Sequence, residues 1–319
     1  MQLQTKALYN LVRFTSHYNP SQKVKKWQSE NLRDLDDKKL FEKLKKFNLN
    51  LDKETFLQYG SQIDSPEELA ELIAAELENE DKDQIYLVLF ELYRRFLSDK
   101  RSLSIFCDEL DHQIFLYDTH QLKNDELLQN ALDNLKNILD SSFDLGTPQK
   151  KAFKHLLQYL AHDLDNFLFD YIHDQIDAQN EVYAFDLVDG FYPYIEKNLW
   201  FDFLKAKLLA SKDITASNGI IEKIIDENPN LELQLRILYF MVDRGDRNLF
   251  LKIAKRTAQH LKKERELKHL LELLQDFYLR LDNDKMEIKI SNLLKQRLKI
   301  HDEKALKKLD IDELLKILS

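Results

Sequence analysis

The sequence is poor in the residues that break helices. Among 319 residues there are five Gly and five Pro, where average usage would supply roughly 22 and 16. With Leu, Lys, Glu, Asp, Gln and Asn abundant, that scarcity predicts an almost wholly α-helical chain. Cysteine is scarcer still: Cys107 stands alone, which excludes an intrachain disulfide and fits a reducing cytoplasm. No apolar run approaches the roughly 18 to 20 residues of a membrane span. The longest, Ile85 to Phe90, stops at Glu91. At the N-terminus, Gln2, Gln4, Lys6, Asn10 and Arg13 interrupt the apolar core that a signal peptide needs. Positive charge is also short, with 47 Lys and Arg against 56 Asp and Glu and a net charge of −9. That balance argues against a general nucleic-acid binder, which must displace counterions from phosphate. The expectation is a cytoplasmic protein without membrane or nucleic-acid partners.

What is present suffices for a core, with hydrophobic residues at 44% and aromatics at 11%, and disorder is not expected to dominate. Residues 1–18 carry Leu3, Leu8, Leu11, Val12 and Phe14 on a helical period. The basic run Lys23 to Lys26 reads as a solvated helix face, because acids follow at Asp34, Asp36 and Asp37. Two short helices fit residues 37–60, with Asp52 capping the second. Ser65-Pro66-Glu67-Glu68 is a capping-box start for a helix expected to reach Asn79. Glu80 to Asp83 then reads as a turn into an apolar helix, Gln84 to Leu97. Two further helices follow near 101–117 and 124–141. Ser141 to Pro148 is the best linker candidate, with Thr147 as a cap and Pro148 at the first helical position. The expected division is an N-terminal helical array or bundle, 1–145, and a C-terminal helical repeat region, 146–319.

The repeat is the most informative feature. From Asp165 three units, 165–197, 198–230 and 231–263, superpose at a spacing of 33 residues, each a helix, a tight turn and a second helix. Asn180, Asp213 and Asp246 occupy matching turn positions. A looser pair, Glu266 to Leu281 and Lys285 to Leu298, follows, and Ile311 to Leu318 would close the array. Such a unit cannot bury its apolar face alone, so copies stack and present an extended surface.

The pattern resembles the tetratricopeptide family of helical hairpins, over roughly residues 165–298. Lys212-Asp213 and Gly245-Asp246 stand at its Gly-Asp turn, and Asn228-Pro229-Asn230 at its terminal Asp-Pro-Asn. Ala184 matches a small-residue position. Departures are Ile172, Lys205 and Leu238 at the small position of the first helices, and Phe250 in the place of Ala184 and Ser217. The resemblance implies an all-α, helical-hairpin solenoid in the C-terminal half and a groove that binds a protein or peptide. It places Asn166, Phe169, His173, Asp202, Glu232 and Tyr239 toward that groove. The basic clamp with which some family members grip a C-terminal carboxylate is missing, because its positions hold residues such as Phe169, His173, Asp202, Ala206 and Glu232.

Chemistry finds little footing. Glu109/His112 and Glu266/His269 share the Glu-x-x-His spacing of carboxylate-bridged di-metal sites, but chance alone supplies about 0.6 such pairs in this composition. His162-Asp163 and His173-Asp174 have the form of phosphohydrolase pairs, for which His155 and Asp186 could be drafted. Cys107 and His112, five apart, do not face each other on a helix, so Cys107 reads as a small core residue. The dense aromatics from Phe167 to Phe203 read as gap fillers between stacked helices. No catalytic residue, metal ligand or cofactor is assigned. The leading reading is a non-catalytic interaction or scaffold protein, holding a partner with basic and apolar character. The alternative is a helical metal-dependent enzyme of hydrolase or oxidase type.

Overall fold

The computed structural model describes residues 21, 23–100, 102–196 and 198–318; the helical period of residues 1–18 lies outside them. Among the described residues there are seventeen α-helices and no strand, so the chain is all-α. It divides into two compact units. One comprises the described residues up to Leu168 with Pro193–Ile195, and the other Phe169–Tyr192 with residues from Glu196 onward. The division falls inside a helix.

The first unit holds α1 (Lys26–Ser29), α2 (Asp37–Lys45), α3 (Lys53–Ser61), α4 (Pro66–Ala74), α5 (Asn79–Phe96), α6 (Leu103–Asp118), α7 (Glu126–Asp144) and α8 (Gln149–Leu157). Its centre is α5, buried without a break from Ile85 to Tyr93. A helix apolar on all sides must be covered on all sides, and α2 and α4 pack on it. The expected starts hold: Asp52 accepts from the Thr55 amide, and Ser65 from the Glu68 amide. Two boundaries are corrected. The helix begun at Pro66 stops at Ala74, and Glu80 to Asp83 form the first turns of α5 rather than a connection. Acids there complement the helix dipole. The expected linker is also corrected: residues 141–144 finish α7, Gly146 turns the chain at φ +93°, and Pro148 caps α8 from outside it. Cys107 is fully buried, as a core residue should be.

An ion network fastens this unit. Glu91, 4% exposed, accepts from both Arg94 and Arg95. Arg95 also reaches Asp37, and Arg94 reaches Glu109. Arg33 pairs with Asp108. Burial raises the Glu91 carboxyl, but the two guanidiniums outweigh it and hold the group below its ordinary range.

The second unit continues α9 (Leu164–Asp177) into α10 (Glu181–Phe191), α11 (Asn198–Ala210), α12 (Ile214–Asp226), α13 (Leu231–Arg244), α14 (Arg247–His260), α15 (Glu264–Arg280), α16 (Asp284–Arg297) and α17 (Lys308–Leu318). The first helices α11, α13 and α15 pack in succession, and α12 packs on α14. Two of the three expected turns share one cap, whereas Asn180, placed in the same position by the sequence, makes no such bond. Asp213 and Asp246, 33 residues apart, cap α12 and α14 by accepting from the amides three residues on. Asn230 caps α13 in the same way.

Two of the departures, Phe250 and Lys205, have a physical reason. Ser217, fully buried, donates to the Ala206 carbonyl of the preceding helix at 2.8 Å. Phe250, in the equivalent place, stacks on Phe277 of the next hairpin, with centroids 3.8 Å apart. Lys205 avoids burial by lying over the Tyr192 ring. At Gly245 an added Cβ would stand 2.6 Å from the Met241 Cβ, so close approach rather than positive φ demands glycine.

Candidate functional site

Three first helices of the second unit share a polar and aromatic seam. Phe169 meets Trp200 edge to face at 4.8 Å, and the Arg236 guanidinium covers both rings at 5.3 and 5.6 Å. Arg236 is held from the other side by Asp170 and Glu232, each at 3.3 Å. Next to it, Lys207 donates to His173 Nε2 at 2.8 Å and to Asp177 at 2.7 Å. Burial lowers the His173 pKa, and the neighbouring ammonium lowers it further.

Beside this seam lies an open cleft of about 780 Å³ between α11, α12 and the start of α13. Its walls include Tyr192, Trp200, Ile224 and Leu233, with Glu196, Asp202, Glu227 and Lys223 as the charged groups. Asp202 accepts from the Tyr192 hydroxyl at 2.9 Å. Burial and that carboxylate both raise the Tyr192 pKa, so the phenol remains a donor.

The six residues expected in a groove are distributed unevenly. Asn166 lies in the first unit, where its side chain donates to Asp163. The other five belong to the second. Phe169 is 4% exposed, a buried ring rather than a groove wall, because Trp200 and Arg236 cover it. His173 is tied to Lys207, and Glu232 to Arg236, so neither presents a free charge. Asp202 opens on the cleft, and Tyr239 is 70% exposed on α13. Sequence reasoning missed Glu196 and Glu227. They lie at helix boundaries, where only the turn geometry brings them to one wall.

Glu109, Glu266 and His162, weighed for catalysis, are engaged in ion pairs and caps. Glu109 pairs with Arg33 and Arg94, and Glu266 accepts from the amides of Lys262 and Lys263 at the start of α15. His162 Nδ1 donates to the buried Asp111, which also accepts from the Ala161 and His162 amides. That His–Asp contact fastens the entry to α9. Most of the dense aromatics are core, including Tyr171, Phe191, Phe201 and Phe203; Tyr183, Tyr192 and Trp200 are half-buried, and Phe185 is 59% exposed.

No helix among the described residues is long and apolar enough to cross a membrane. Comparison with known proteins finds no matching family model, no matching curated sequence and no matching solved structure.

Proposed function

We infer that this chain is a non-catalytic interaction protein. Its stacked hairpins act as a tetratricopeptide-like solenoid, and a protein or peptide with basic and apolar residues occupies the cleft around Asp202. The observation that carries this reading is the charge of the cleft. Three carboxylates, Glu196, Asp202 and Glu227, stand against one amine, Lys223, beside Trp200 and Leu233. A cation entering there gains complementarity, which acts mainly on the association rate, while its apolar neighbours cover the ring and the leucine. The buried single thiol and the net negative charge support a reducing, cytoplasmic setting without nucleic acid.

The test uses two labelled peptides of equal length, one alternating Arg and Leu, the other with each Arg replaced by Glu. Anisotropy should rise only for the basic peptide, and Asp202→Lys with Glu227→Lys should abolish the rise. Equal binding of both peptides, or binding untouched by the double reversal, overturns the assignment.

A further inference from the structure

A second concavity in the same unit has a different character. It is a groove of about 570 Å³ with α10 and α12 as walls and α11 as floor. Its apolar content is exposed: Val182 is 79% and Phe185 59% accessible, with Leu209 and Ile220 behind them. Large apolar side chains grouped on the rim of a groove mark an interaction site more often than isolated ones do. The charges at the rim decide which partner fits.

Each end of the groove carries one carboxylate and one amine. At one end are Glu181 and Lys212, with Ser211 donating to Glu181 at 3.3 Å. At the other are Asp189 and Lys205, the latter anchored over the Tyr192 ring. The four charges that line the groove therefore cancel, in a chain whose net charge is −9, and α10 also exposes Asp186 beside Phe185. A patch of opposite charges at both ends is complementary to itself when turned around.

We propose that this groove is a self-association surface, occupied by α10 of a second copy of this chain. The arrangement is isologous, with the two α10 helices antiparallel across a two-fold axis near Phe185, so the same patch serves both subunits. Phe185 of each copy enters the groove of the other over Leu208 and Leu209. The reversal sets Asp189 of one copy against Lys212 of its mate, and Glu181 against Lys205. This goes beyond the cleft reading, since it involves other residues and no foreign partner.

A charge swap tests it. One variant carries Lys205→Glu with Lys212→Glu, making the rim wholly acidic; the other carries Glu181→Lys with Asp189→Lys, making it wholly basic. Light scattering after size exclusion at ~100 μM should give a dimer mass for the natural chain and a monomer mass for each variant alone. Mixing the two variants in equal amounts should restore the dimer mass. Helical circular dichroism confirms that each variant is folded, and Phe185→Glu supplies an independent break that mixing with either charge variant should not repair. A monomeric natural chain at this concentration overturns the proposal. So does a dimer that survives Phe185→Glu, or a mixture of variants that stays monomeric.

Discussion

Lys207 Nζ stands 2.8 Å from His173 Nε2, an arrangement that requires this nitrogen to be unprotonated. The ammonium can only donate, so the imidazole keeps its proton on Nδ1, which faces Asp177 at 3.3 Å. Asp177, His173 and Lys207 thus form one chain of polar contacts between α9 and α11. Protonating His173 would set two cations nose to nose.

The first prediction follows from the sign of that shift. His173 has a folded pKa below its ordinary 6.5, so the unfolded chain takes up a proton that the folded one refuses. Stability from this group is complete above about pH 6.5 and falls as pH drops toward the folded value. Urea midpoints of the natural chain should decline across that window. His173→Gln should decline less steeply. An identical slope in both would refute the assigned tautomer.

The ion pair at the end of the array gives a second prediction. Arg297 meets Glu264, which is 1% exposed, through two bonds of 2.6 and 2.8 Å, and also reaches Asp310 on α17. Removing one member leaves the other charge buried. Arg297→Ala, which strands the Glu264 carboxylate, should therefore cost about 3–5 kcal/mol. Glu264→Leu combined with Arg297→Met should cost less than Arg297→Ala alone, as read from denaturant unfolding.

The stacked ring of Phe250 is a third handle. Fully buried against Phe277, it ties one hairpin to the next. Phe250→Ala should lose about 3–5 kcal/mol through the cavity it leaves. Phe250→Ser, which places there the residue type found at Ser217, should be no better, because the slot is built around a ring. Full recovery with serine would show that the hairpins close in the same way at both sites.

The helices of the second unit are legible in the sequence because their punctuation is local. Asp213, Asn230 and Asp246 each satisfy an orphan amide three residues on, a signal contained in four consecutive residues. Boundary errors arise where local signals conflict. Glu80 to Asp83 look like a turn by composition, yet polar, mostly acidic residues at a helix N-terminus are also what the dipole favours. The site is less legible because a helical register gives a direction but not a neighbour. The register directs Phe169 toward a groove, whereas Trp200 and Arg236 cover it. Likewise Glu232 reads as a free acid in the sequence, whereas Arg236, one turn away, binds it.

The last prediction tests the repeat register itself. Leu204 on α11 and Ile221 on α12 are both fully buried, and α11 and α12 pack as one hairpin. A carboxylate placed at either point must carry the desolvation cost of a buried charge. Leu204→Asp and Ile221→Asp should each unfold the second unit, whose hairpins depend on their neighbours. The first unit has its own core around α5, so the loss should be partial rather than total. Hydrogen exchange read peptide by peptide separates the two outcomes. Protection should vanish from α10 onward while Ile85 to Tyr93 stay protected. Protection lost from both units together would mean that the chain unfolds as one cooperative body, and that the division into two units does not describe its energetics.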